Sequence, residues 1–284
     1  MSDRKVAVIT GSTGGIGGAI SEQLAAGGWD LVLVNRSAEK SSRQKTALNT
    51  AHPEAKVDLV QVDLMDTEQI KRAAREILTI HSSIDALYNN SGVLTSRRIM
   101  SAQGHESNYA VNTLAPYVLL ECLRPALKRA TAMPKTMIVN TTSSAHNAAK
   151  SLDVDMLSDP ADIGGLTGVY ATTKLALTTM GTALAPDLEQ DGIMLRSVCP
   201  GTVATPMTKT SDAMPGILKF FVPLLFNKPE KQAGKMINAA KPESFGARTG
   251  IYITNGKEKA APKLAVDAHV QASLLKKLSA DAAL

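Results

Sequence analysis

KVAVITGSTGGIGGAISEQLAAGGWDLVLVNR, residues 5–36, is the stretch that decides the fold. Lys5 to Thr10 is a continuous apolar, β-branched run, the mark of a strand covered on both faces in a parallel sheet. It ends at Gly11. GAISEQLAAG, 18–27, spaces its apolar residues at helical intervals and stops at Gly27 and Gly28; LVLVNR, 31–36, is then a second buried strand. A strand, a helix and a strand within about 30 residues form one crossover unit.

The alternation continues. A polar helix at 38–51 precedes a strand at 56–64, a helix at 66–80 and a strand at 84–90. A long helix over 105–130, a strand at 136–143, a helix at 169–190 and a strand at 192–201 follow, with a last strand in ARTGIYIT, 247–254, and a C-terminal helix. Repeated βα units with right-handed crossovers predict a doubly wound, parallel α/β sheet of the Rossmann type. We expect about seven strands with helices on both faces, in a single domain over residues 1–284.

Composition narrows the function classes. With 284 residues, 44% hydrophobic and 20% charged, the chain has the material for a large core and fits neither a disordered protein nor a membrane channel. The formal charge is +5, but Lys and Arg are scattered and only 4% of residues are aromatic, so no nucleic-acid partner is expected. Cys122 and Cys199 stand far apart, and His81, His105 and His146 lack ligand spacing, so neither a disulfide framework nor a metal site is expected. MSDRKVAVITG runs straight into a strand with no room for a signal peptide, and no transmembrane span is found; a cytoplasmic location is expected.

The turn after the first strand reads Thr10-Gly11-Ser12-Thr13-Gly14-Gly15-Ile16-Gly17. Glycines there permit a tight turn and let free backbone N–H groups at the helix start approach a pyrophosphate, so Gly11, Ser12, Thr13, Gly15, Ile16 and Gly17 are candidate dinucleotide ligands. Where a carboxylate would take a ribose 2′-hydroxyl, this chain has Asn35-Arg36; Arg36 suits a 2′-phosphate and favours NADP(H), the alternative being a surface arginine. Asp63-Leu64, past the third strand, suits the adenine, or a helix start that Asp66 and Thr67 would cap better. Asn89-Asn90-Ser91-Gly92 ends the fourth strand at the ligand-binding edge, making Asn90 and Gly92 cofactor candidates; an ordinary turn has the same composition. Tyr170 and Lys174 share a helix face. An ammonium beside a phenol favours phenolate, and moving a tyrosine pKa from about 10 to about 7 takes about 4 kcal/mol, which would make an acid–base pair. Taken alone, the same spacing also suits a snorkelling surface pair.

In this order the set resembles the short-chain dehydrogenase/reductase superfamily: Thr10 to Gly17, Asp63, Asn89 to Gly92, Asn112, Ser143, Tyr170 with Lys174, and Pro200-Gly201-Thr202-Val203-Ala204-Thr205. The likeness covers residues 5 to about 205, with Ser91 where the family more often has Ala. It implies a catalytic tetrad of Asn112, Ser143, Tyr170 and Lys174. Tyr170 would exchange a proton with a carbonyl oxygen while a nicotinamide exchanges a hydride with carbon. Ser143, with Ser144 as fallback, would bind the substrate oxygen, Lys174 would depress the Tyr170 pKa and hold the nicotinamide ribose, and Asn112 would fix a water. Pro200, Gly201, Val203 and Thr205 would complete the cofactor site.

Ser143 and Tyr170 stand 27 apart, roughly twice the family's usual spacing, so the chain resembles the longer members, including retinol dehydrogenase-like and carbonyl reductase-like enzymes. The insertion, 144–169, is either a solvated loop carrying Asp153, Asp155, Asp159 and Asp162 or a wall of the substrate pocket. Residues 206–228 match the family's substrate lid, and GILKFFVPLLF, 216–226, suggests a lipophilic carbonyl or alcohol substrate. The same stretch also fits a core or dimer-contact helix, or one touching a membrane surface. A homodimer or a monomer is expected. Competing functions are a non-catalytic NADP(H)-binding regulator and an NADPH-dependent reductase of activated C=C bonds.

Overall fold

A computed structural model describes residues 4–130, 136–203 and 227–284. The first half runs β1 (Val6–Thr10), α1 (Gly15–Ala26), β2 (Asp30–Asn35), α2 (Ala38–Ala51), β3 (Val57–Gln61), α3 (Thr67–Ile80) and β4 (Ala86–Asn89). A helical stretch follows, from α4 (Ser107–Tyr109) through a π-helical turn (Ala110–Leu114) into α5 (Ala115–Leu127). Then come β5 (Thr136–Thr141), α6 (Val169–Gln190), β6 (Ile193–Cys199), α7 (Pro229–Ala240), α8 (Pro242–Phe245), β7 (Ile251–Thr254), β8 (Lys257–Lys259) and α9 (Ala268–Ala282).

The strands form a single sheet in the order β3-β2-β1-β4-β5-β6-β7-β8. Every pair is parallel except β7 with β8. Side chains alternate between faces, as strand geometry requires. Val8, Val32, Leu87, Ile138 and Leu195 face α3, α5, α6 and α9, while Ile9, Leu33, Tyr88, Val139 and Val198 face α1 and α7. Burying each such aliphatic side chain contributes about 1.5–3 kcal/mol before entropy is counted. The chain builds outward through β2 and β3, then returns to place β4 on the other side of β1. That reversal opens a crevice at the carboxyl ends of β1 and β4, where open α/β sheets bind ligands.

Two details refine the expectation of about seven strands and a helix from about His105. An eighth strand forms because Asn255-Gly256, with φ of 51° and 76°, turns the chain back into the short antiparallel β8. Two successive positive-φ residues match the twist of a hairpin. The predicted long helix starts at Ser107, not 105, because the buried Glu106 carboxylate accepts the Asn108 and Tyr109 N–H groups at 2.8 and 3.2 Å and so caps it. Its second turn is π-helical, which periodicity does not reveal.

The insertion is split in character. Leu152 and Leu157 are buried in the core shared by α5, α6 and α9, while Asp153, Asp155, Asp159 and Asp162 stay exposed. The Glu106 N–H donates to the Ser158 carbonyl at 2.7 Å, and Arg98 pairs with Asp159. On the other side of the sheet, Arg196 is fully buried and donates to the carbonyls of Ala239, Lys241, Gly246 and Arg248, tying α7 and α8 to β6.

Candidate active site

The glycine turn lies at the mouth of the crevice, between β1 and α1. Thr10 Oγ1 accepts the N–H groups of Asn90 and Ser91, both at 3.0 Å. Asn90 Nδ2 donates to the Thr10 and Gly11 carbonyls at 3.1 and 3.3 Å, so the β4 loop fastens the turn. A Cβ on Gly17 would fall 2.3 Å from the Gly11 carbonyl oxygen, so only glycine lets the helix approach this closely. Gly14 caps α1 without a side-chain hydrogen bond, so the cap leaves the first N–H groups of the helix to an anion. These residues fit a pyrophosphate.

At the end of β2, Asn35 is not available to a ribose. Its Oδ1 accepts the Ser12 N–H and its Nδ2 donates to Ser12 Oγ, both at 2.8 Å. Gln44 from α2 completes the latch, accepting from Ser12 Oγ at 2.9 Å and donating to the Ser12 carbonyl at 2.7 Å. The Ser12 hydroxyl is therefore fully engaged within the protein. Arg36 is exposed beside this latch, and its guanidinium makes no ion pair among the described residues. Asp66 caps α3 through the Glu68 and Gln69 N–H groups, which leaves Asp63 bonded to the Met65 N–H of its own turn at 3.0 Å and lying beside Leu64 at the crevice edge.

Tyr170 sits in the first turn of α6, one helical turn before Lys174. Burial pushes the Tyr170 phenol up to about 12, against a hydrogen bond from Ser143 that lowers it. Burial pushes the Lys174 amine down to about 8. Lys174 Nζ donates to the Thr141 carbonyl at 2.9 Å and stands 5.9 Å from the centre of the Tyr170 ring, so desolvation governs both groups. The hydroxyl that meets Tyr170 belongs to Ser143; Ser144 is exposed, and its N–H donates to the buried Cys199 Sγ at 3.2 Å.

Asn112 lies in the π-helical turn and is fully buried. Its Oδ1 accepts the Val93 N–H at 2.8 Å, and its Nδ2 donates to the Val93 carbonyl at 3.0 Å and Thr173 Oγ1 at 3.2 Å. The side chain thus locks the loop after β4, including Gly92, to α6, instead of presenting Nδ2 to a water. Pro200 is buried after β6, and Gly201, at φ 83°, sits so close to Asn255 that a Cβ would lie 2.4 Å from its Oδ1. Val203 is buried and pairs with Asn227. Thr205 and residues 206–226 of the expected lid lie outside the described residues.

Several contributors carry no sequence signal of their own. Leu94 forms an apolar cluster with Tyr170, and Ala145 and Leu166, from two further segments, pack against it. Cys199 is near enough to Tyr170 and Lys174 to interact electrostatically with both. Among the described residues there is no group of three or more His, Cys, Asp or Glu side chains placed to hold a metal. No described helix is long and apolar enough to cross a membrane.

A family model described as short chain dehydrogenase matches residues 5–153 and 160–216. The chain is 27% identical over 251 residues to retinol dehydrogenase 11 of Mus musculus, covering 88% of this chain and 78% of that protein. It is also 27% identical over 268 residues to the chloroplastic short-chain dehydrogenase TIC 32 B of Brassica napus, covering 92% and 83%. Among solved structures it is similar to a blue fluorescent protein from a metagenomic library in complex with NADPH, at 27% identity and TM-score 0.67 over 88% of this chain and 95% of that one. The fold is shared with levodione reductase, at TM-score 0.69 and 20% identity over 88% and 95%.

Proposed function

The chain belongs to the short-chain dehydrogenase family and is an oxidoreductase, and from that premise we propose that it uses NADP(H) to interconvert a lipophilic carbonyl compound and its alcohol. The observation that carries the reading is the meeting of Ser143, Tyr170 and Lys174 at the crevice that the glycine turn flanks. Leu94, Ala145 and Leu166 around Tyr170 support an apolar substrate. Arg36, exposed and without an ion pair among the described residues, beside a fully engaged Asn35, supports a 2′-phosphate over a bare ribose. The NADPH held by the metagenomic relative points the same way.

When bound, the reduced nicotinamide supplies the hydride that reaches the carbonyl carbon. The chain supplies the rest. With its pKa near 12, Tyr170 is protonated throughout the neutral range and serves as the acid, giving its proton to the oxygen as an alkoxide forms, a stronger base than phenolate. Ser143 Oγ hydrogen-bonds that same oxygen and fixes its distance from Tyr170. Lys174 is largely an ammonium at pH 7, and the phenolate left on Tyr170 is stabilised by that charge. One Nζ hydrogen is held by Thr141, leaving the others for the nicotinamide ribose. Asn112 keeps the β4 loop and α6 in register, which holds the acid against the crevice.

The test is a titration of the purified protein with NADPH and NADH, followed by nicotinamide oxidation with aliphatic and aryl ketones and aldehydes and product analysis with an enone. NADPH-selective binding with carbonyl reduction is expected. Binding without turnover of any carbonyl would favour a regulator, and saturation of the enone's C=C bond would favour the alkene reductase.

A further inference from the structure

Gly164 to Gly168, GGLTG, closes the insertion immediately before the helix that carries Tyr170. The Val169 N–H donates to the Ile163 carbonyl at 2.9 Å and the Gly168 N–H to the Gly165 carbonyl at 3.0 Å, so the turn is bonded across its own base. A Cβ on Gly168 would stand 2.5 Å from the Ile163 carbonyl oxygen and 2.9 Å from Gly164 Cα, so the two ends approach as closely as only glycine permits. Ile163, 7% exposed, anchors one end, and Val169, the first residue of α6, anchors the other. With both ends fixed, the three residues between have little freedom. The middle one is Leu166, half-buried and packed, like Ala145, against the cluster that Leu94 forms with Tyr170.

Resting on the functional reading above, we propose that this turn is the substrate-discriminating wall of the active site and that Leu166 is the specificity-determining residue, selecting ketones and aldehydes whose substituent next to the reacting carbon is uncharged and aliphatic or aryl. A carbonyl oxygen within reach of Ser143 and Tyr170 brings that substituent against Leu94, Ala145 and Leu166, none of which offers a side-chain polar partner. A charged group there would lose its water without replacement. Leu94 is 7% exposed, so its contact surface is already committed, whereas Leu166 keeps exposed area that an incoming apolar group can cover. Leu166 also comes from the segment that exceeds the usual spacing, which places selectivity in the insertion.

The experiment measures kcat/KM for butanone and for a bulkier aryl ketone, acetophenone, with wild-type protein, Leu166→Ala and Leu166→Asp, alongside the NADPH Kd of each. Truncation to alanine should shift the acetophenone-to-butanone ratio about tenfold or more toward the bulkier ketone, in the range that one or a few methylenes control in an apolar pocket. Aspartate should lower kcat/KM for both ketones about tenfold or more, through KM, while NADPH Kd stays within about twofold. Ratios and KM values that stay within twofold in both variants, with wild-type turnover intact, overturn the proposal alone. Absence of wild-type NADPH oxidation with either ketone withdraws the functional reading and the proposal with it. A loss of NADPH affinity in step with the loss of turnover would make the turn a structural support of the fold and would equally overturn its role in selectivity.

Discussion

Gly17→Ala adds one methyl group where the structure has no room for it. The new Cβ would lie 2.3 Å from the Gly11 carbonyl oxygen, 2.9 Å from Gly11 C and 2.5 Å from Asn90 Nδ2, against an ordinary contact distance of 3.4 Å. Two of the three obstacles are backbone, and Asn90 Nδ2 is itself bonded to the Thr10 and Gly11 carbonyls, so relief requires moving the turn by about 1 Å. Overpacking of this kind costs about 1–3 kcal/mol. For a domain of this size that corresponds to a Tm lower by about 2–5 °C. The displaced N–H groups would also miss the pyrophosphate. Losing one charge-assisted hydrogen bond of about 1.5–3 kcal/mol weakens NADPH binding about tenfold or more. Gly234→Ala is the matched control. The same methyl, placed in α7, meets only Gln23 Oε1 at 3.6 Å and should raise stability by about 0.5–1 kcal/mol without touching nucleotide affinity. Thermal melts and fluorescence titrations of both variants decide the matter. A Gly17→Ala protein that melts within 1 °C of wild type and binds NADPH within twofold would refute the fit to a pyrophosphate.

Other perturbations probe separate parts of the molecule. Arg36→Ala should weaken NADPH binding about tenfold, the worth of one exposed charge-assisted pair, and leave NADH within twofold; equal losses for both nucleotides in parallel titrations would remove Arg36 from the 2′-phosphate site. Burial holds the His146 imidazole down at about 4 from an ordinary 6.5, its Nδ1 bonded to the Thr178 hydroxyl at 3.1 Å and its Nε2 buried without a hydrogen-bond partner among the described residues. The unfolded chain therefore binds more protons between those values, so stability is complete above pH 6.5 and falls by about 3 kcal/mol as pH drops to 4. Denaturant midpoints measured across that range should flatten in His146→Gln, and an unchanged slope would assign the acid sensitivity elsewhere. Arg196→Met should cost at least about 3 kcal/mol, because four main-chain carbonyls at the ends of α7 and α8 and the start of β7 lose their donor; a Tm within 2 °C of wild type would show that the clamp contributes little.

The parallel strands were legible because a strand buried on both faces must be apolar at every position, as Ala7 to Ile9 and Leu31 to Val34 are. β8 was not, since Lys257, Glu258 and Lys259 lie on an edge and carry no apolar run, although Asn255-Gly256 announces the hairpin. Order and spacing single out Ser143, Tyr170 and Lys174 as candidate catalytic positions, and the structure brings these three near one another. Their electrostatics could not be read in this way, because the Tyr170 and Lys174 shifts come from burial by segments distant in sequence. The Asn35–Ser12–Gln44 latch and the clustering of Leu94 with Tyr170 are long-range contacts with no local pattern. The π-helical turn at Asn112 leaves composition and apolar spacing unaltered and is seen only in backbone geometry.

The central claim is that Tyr170 delivers the proton in a carbonyl reduction. The direct test compares Tyr170→Phe with wild type in NADPH oxidation with a lipophilic ketone, with NADPH Kd measured on the same samples. Removing the hydroxyl takes away the acid and its bond to Ser143 while keeping the ring in its apolar cluster with Leu94. The account predicts an NADPH Kd within about threefold of wild type and a kcat lower by about 10²-fold or more, the usual contribution of a positioned general acid. Retention of more than about a tenth of wild-type kcat would contradict it and place the proton donor elsewhere.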